Sequence, residues 1–176
     1  MVGIAITFLS FLFFARQHET YSILLICGLI LSLLFFLRIL FGKTSLKAKL
    51  LVTGIVIVSI AVQQMTELNL IDTSYKIYIT KKKAVLDEVN TILLSKDGNV
   101  SILGETFSDS SNLSNSEINK LKESRKKLGV YMISKTENSV YYGLWGFLDV
   151  RLGISYLTQK PTADKGKRHL KGSWYR

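Results

Sequence analysis

Cysteine occurs once in 176 residues, at Cys27, and histidine twice, at His18 and His169. A lone cysteine forms no intramolecular disulfide and no thiolate metal site, so it reports nothing about redox compartment. Lying inside a long apolar run, Cys27 reads as a small packing residue. Neither histidine has a carboxylate pair at ligand spacing beside it, and no metal is expected. The signatures of nucleophilic and nucleotide chemistry are missing too: there is no Gly-x-Ser-x-Gly elbow and no Gly-x-Gly-x-x-Gly after a strand. Gly42-Lys43-Thr44 lacks the upstream glycine of a phosphate loop and follows an apolar helix. These absences speak against an enzyme, and they imply no cofactor.

Charge is also scarce in the first third. Up to Met65 it is limited to Arg16, Glu19, Arg38, Lys43, Lys47 and Lys49, whereas from Glu67 onward 18 Lys/Arg stand against 12 Asp/Glu. Residues 21–41, YSILLICGLILSLLFFLRILF, hold one charge, Arg38, close to the end. A helix of ~20 apolar residues crosses the ~30 Å hydrocarbon core of a bilayer. A further apolar segment, about 48–65, follows a short lysine-bearing loop and ends in Gln63 and Gln64. Residues 2–15, VGIAITFLSFLFFA, are shorter and match the apolar core of a signal peptide in length. No Lys or Arg precedes them, however, and Phe-Phe-Ala stands where a small-x-small cleavage site would be. A short retained membrane helix is expected, with an interfacial or re-entrant helix as the alternative. Gly28 and Ser32 form a small-xxx-small pair that admits another helix closely. No charge falls in the middle of a span, which argues against an ion or proton path.

The expected fold class is therefore a membrane α-helical N-terminal region of 2–3 transmembrane helices (1–66; helices about 2–15, 21–41 and 48–65), followed by a small α+β soluble domain (67–160) and a basic tail (161–176). Lys43, Lys47 and Lys49 outweigh Arg16 in short-loop charge. The positive-inside rule then puts residues 42–49 in the cytoplasm and the soluble domain on the other face of the cell inner membrane. Lys76 and Lys81 to Lys83 count against that orientation.

Within the soluble part, YKIYI at 75–79 alternates like a strand, and Thr80 is placed to cap a helix to about Ser95. Lys96-Asp97-Gly98-Asn99 is turn chemistry before a strand at 100–103, and FSDSSN at 107–112 reads as a loop. Ser114 and Glu117 form a capping box, opening a helix that buries Ile118, Leu121 and Leu128 and stops at Gly129. Strands follow at 130–133, 140–148 and 150–157, the first two joined by a turn at 136–138. Gly143, Gly146 and Gly153 suggest bulges or bends. The order is β-α-β-α-β-β-β, an α+β domain.

Two surfaces are candidate sites. Trp145, Phe147, Asp149 and Arg151 fall on odd positions, opposite an apolar even face, and suit a planar or charged ligand. The competing reading is a second sheet face packed on a helix, with Asp149 and Arg151 as a rim ion pair. In the tail, Lys165, Lys167, Arg168 and Lys171, with Trp174 and Tyr175, suit an anionic surface; Leu170 to Tyr175 as a closing strand is the alternative. The expected partners are the lipid bilayer and a protein or small ligand bound by the C-terminal domain. Nucleic acid is not expected outside the cytoplasm, and homo-oligomers stay open. The function expected is a non-catalytic binding module of accessory, envelope or immunity type. The alternative is a ligand-gated membrane effector of antiphage type with a cytoplasmic sensor domain.

Overall fold

The computed structural model describes residues 2–15, 18–109, 112–147, 150–159 and 167–176. The chain divides into two compact units, Met1–Ser74 and Tyr75–Arg176.

The first unit opens with α1 (Val2–Ser10), a 3-10 turn (Phe11–Phe13) and α2 (His18–Phe41). Small residues let α1 and α2 pack antiparallel with their backbones close. A Cβ on Gly3 would lie 2.5 Å from the Ser32 hydroxyl, and one on Gly28 would run into that of Thr7. Each hydroxyl returns to its own helix: Thr7 donates to the Gly3 carbonyl at 3.0 Å and Ser32 to the Gly28 carbonyl at 2.8 Å. Their polarity is thus satisfied without water, which an apolar surrounding requires. Phe11 and Phe14 stack on Tyr21 and close the hairpin.

After a short loop, α3 spans Leu46–Leu94 and belongs to both units. The Ser45 hydroxyl accepts from Ala48 N at 3.3 Å and caps its start. The expected strand at 75–79 is corrected here: YKIYI is helical. Thr80 is not a cap, since its hydroxyl donates to the Lys76 carbonyl inside the same helix. No glycine or proline interrupts the chain between Gly54 and Gly98, so nothing stops the helix locally. Tyr75, Ile79, Leu86, Val89 and Leu93 line up at helical spacing and are all buried. That stripe overrides the two-residue alternation of five residues.

In the second unit, β1 (Val100–Leu103), β2 (Thr106–Asp109), β3 (Met132–Thr136), β4 (Ser139–Phe147), β5 (Val150–Leu157), β6 (His169–Lys171) and β7 (Trp174–Tyr175) form one antiparallel sheet in the order β2-β1-β3-β4-β5-β7-β6. α4 (Asn115–Leu128) starts at the expected capping box, with Ser114 N donating to Glu117 at 2.8 Å, and ends at Gly129 with φ 72°. The order of elements expected from sequence is corrected at three places. The first strand is helix, part of the expected loop at 107–112 is β2, and the tail supplies β6 and β7. Gly104 and Gly172, at φ 58° and 56°, make the tight turns into β2 and β7. The register shifts between Gly143 and Trp145, a bulge where a glycine marked one.

One face of the sheet forms the core. Val100, Ile102, Ile133, Val140, Tyr142 and Ile154 lie there with Leu86, Val89 and Leu93 of α3 and Leu121 and Leu128 of α4. Each such side chain contributes about 1.5–3 kcal/mol when removed from water. Lys135 also projects from this face, 3 % exposed. Its ammonium donates to the Lys96 and Gly98 carbonyls at 2.7 and 2.6 Å, beyond the C-terminal end of α3.

Candidate functional site

Strand alternation puts the polar residues on the opposite face. Register carries one rung across all seven strands, Ser108–Ser101–Ser134–Tyr141–Ser155–Tyr175–His169, and every member bears a hydroxyl or an imidazole. Three glycines hold tyrosine rings against this face. A Cβ on Gly143 would meet the Tyr131 ring at 2.6 Å, one on Gly146 the Tyr131 hydroxyl at 2.9 Å, and one on Gly153 the Tyr141 ring at 2.8 Å. The hydroxyls of Tyr131 and Tyr141 are buried beside each other and have no other hydrogen-bond partner among the described residues.

Burial raises the pKa of Tyr141, and the neighbouring Tyr131 pushes it the same way, while Arg151 pulls it back. The hydroxyl therefore stays protonated at neutral pH and is available as a donor.

Beside Tyr141 opens a cleft of about 410 Å³, within the range of small-molecule sites. β7 pairs with β5 at Ser155 and Tyr156, which leaves Arg151 to Gly153 on an edge with no described strand beyond it. The described lining contains three cations: Arg151 from β5, Lys167 before β6, and Arg176 after β7. It also contains the hydroxyl residues Tyr75, Tyr141, Ser139 and Ser155, and no aspartate or glutamate. The Arg176 guanidinium lies 5.9 Å from the centre of the Tyr75 ring, and its backbone pairs with that of Arg168 at 2.8 and 2.9 Å. Arg151 and Lys167 have no ion-pair partner among the described residues. The cleft can thus gather hydrogen-bond donors and positive charge around an anion. No group of metal-ligating side chains occurs among the described residues.

The candidate residues from sequence are redistributed. Arg151 and Lys167, expected in separate sites, line one cleft. Trp145 leaves that group: it pairs with Leu152 while Arg151 pairs with Gly146, so the two project from opposite faces. The reason is the chain reversal between Phe147 and Val150, which pairs odd positions at the end of β4 with even positions of β5. Phe147 pairs with Val150. Its side chain, Asp149 and Lys165 lie outside the described residues. Lys171 pairs with Trp174, on the other side of the sheet from Tyr175, and the Arg168 backbone makes the pairing noted above. Tyr75 was hidden by its reading as a strand residue. Ser139, Tyr141 and Ser155 were legible as the polar half of the alternation in SVYYG and GISYL.

A second cavity, about 340 Å³, lies in the first unit among α1, α2 and α3, with an apolar lining broken by Thr7, Ser32, Ser59 and Gln63. No protein-family model matches the chain, and no curated protein or solved structure is significantly similar to it.

Proposed function

We propose that this chain is a multi-pass protein of the cell inner membrane whose C-terminal α+β domain is a non-catalytic binding module outside the cytoplasm. The observation that carries the proposal is the exposure of its two long apolar helices. Of the most apolar 18-residue windows of α2 and α3, 6 % and 0 % are buried. A core helix of a water-soluble protein would be mostly buried. Here Leu33, Leu34, Leu50, Ile57 and Val58 are each more than half exposed. An apolar surface of that extent needs lipid or another protein over it. By length and composition both helices suffice to cross a bilayer.

Orientation is argued from Lys43, Lys47 and Lys49 in and beside the loop between α2 and α3. The binding role is supported by a well-packed domain with a polar, cation-lined cleft and no catalytic constellation among its described residues. Accessory subunit, envelope factor and immunity protein are the roles that fit.

The test uses full-length protein in cells. After alkaline extraction it should remain in the membrane pellet. In a Cys27→Ser background, Glu123→Cys should react with an impermeant maleimide from outside the inner membrane while Lys47→Cys should not. Recovery in the soluble fraction would overturn the membrane proposal.

The second reading is a ligand-gated effector with the domain in the cytoplasm. It is favoured by α3, one uninterrupted helix that contributes to both units. Labelling at Lys47→Cys alone, with growth arrest on expression, would establish it instead.

A further inference from the structure

We propose that the cleft lined by Arg151, Lys167, Arg176 and Tyr141 binds a phosphate group, carried by a soluble phosphate ester or by a lipid headgroup. The inference rests on reading the C-terminal domain as a binding module, and it specifies the chemistry that module recognises.

Three independent features converge on an anion with several acceptor oxygens. The first is charge: Arg151 and Lys167 face the cleft with no ion pair among the described residues, and Arg176 joins them from beyond the end of β7. Guanidinium and ammonium groups from separate elements suit the oxygens of a tetrahedral anion, arginine as a planar fork and lysine as a point charge. The second is the Tyr141 hydroxyl, buried with no partner beyond the neighbouring Tyr131 hydroxyl among the described residues. An unpartnered buried hydroxyl is costly, and an acceptor supplied by a ligand removes that cost. The third is the remainder of the described lining. Ser139 and Ser155 add two hydroxyl residues from neighbouring strands, and no aspartate or glutamate is among those residues. A single carboxylate ligand would leave most of these donors unused, whereas a phosphate presents more oxygens and up to two charges.

The tyrosine seat is built by the sequence. Gly153 is the position that lets the Tyr141 ring lie flat on β5, because any side chain there would meet the ring and the Tyr142 carbonyl. The ring is thereby seated in the wall of the cleft.

The experiment uses the full-length protein in nanodiscs. Inorganic phosphate and phenyl phosphate are titrated by calorimetry into protein in phosphatidylcholine nanodiscs, with chloride as the control anion. A parallel preparation contains phosphatidic acid. Saturable phosphate or phenyl phosphate binding in phosphatidylcholine identifies a soluble ester as the source. If phosphatidic acid alone binds, or abolishes binding of added phosphate, the source is a lipid headgroup. In either case Arg151→Gln, Lys167→Gln and Tyr141→Phe should each weaken binding about tenfold, the size of one hydrogen bond to a charged group. Lys122→Gln, on α4 and outside the cleft lining, should not. Absence of binding in both preparations overturns the proposal, as does binding that the three cleft variants leave unchanged. Lys167 is exposed, so its variant reports on binding even if a tyrosine variant fails to fold. Phosphate binding by a protein that fractionates as soluble would sink the membrane proposal and leave the cleft standing; a membrane protein that binds no phosphate does the reverse.

Discussion

The Tyr142 hydroxyl donates a 2.7 Å hydrogen bond to Asn90 Oδ1, joining the centre of β4 to α3 inside the core of the second unit. Tyr142 is fully buried and Asn90 is 5 % exposed. Burial drives the tyrosine pKa well above its ordinary value, so the donor keeps its proton. Tyr142→Phe removes the donor and leaves a buried amide oxygen unpaired. The expected loss is about 1–3 kcal/mol of unfolding free energy. Pairing the change with Asn90→Leu should recover part of it, because both polar groups then go together. Denaturant unfolding followed by the fluorescence of Trp174, whose ring lies 5.7 Å from Tyr142, measures both.

Close helix approach in the first unit depends on Gly28, whose added Cβ would meet Thr7 Oγ1 and, at 2.9 Å, the Gly3 carbonyl and the Thr7 amide nitrogen. Backbone cannot move aside as a side chain can. Gly28→Val is expected to separate α1 from α2. Ser10, fully buried at the end of α1, reports it. In a Cys27→Ser background a cysteine at position 10 should resist maleimide in detergent micelles with Gly28 present, and react readily in the Gly28→Val variant.

Acid should unlatch the start of α4. Hydrogen bonding from Ser114 N, with Lys96 and the Ser114 hydroxyl adding to it, lowers the Glu117 pKa to about 2. The folded value lies below the unfolded one. The stabilisation is therefore complete above about pH 4.5 and is lost as pH falls toward about 2. Glu117→Gln keeps a capping-box side chain but cannot titrate. Its unfolding midpoint should vary less than that of the parent across this window, as thermal melts at successive pH values would record. A parallel decline in both proteins would exclude the carboxylate as the cause.

Much of the local architecture was legible because its physics is local. Ser114 and Glu117 sit three residues apart, and Gly129 supplies the positive φ that ends α4, whatever surrounds them. Gly28 and Ser32 do form a close helix contact, with Gly3 and Thr7 as the matching pair that the α1 sequence also contained. The single closing strand considered for residues 170–175 is instead a hairpin, β6 and β7, that turns at Gly172. What failed were inferences that needed distant partners. YKIYI has strand composition, but its place on a buried helical stripe with Leu86 and Leu93 decided otherwise. Trp145 and Arg151 lost their shared face when the chain reversed between them, since the reversal pairs odd positions at the end of β4 with even positions of β5.

The apolar character of residues 21–41 and 48–65, the scarcity of cysteine and histidine, and the capped α4 were determined by the sequence alone, because composition and short-range hydrogen bonding suffice for each. Only the tertiary structure decided that Arg151, Lys167 and Arg176 would line one cleft with Tyr141. These residues come from β4, β5 and the segments flanking β6 and β7. Their convergence depends on strand pairing across the sheet, where contacts are set by register rather than by separation along the chain.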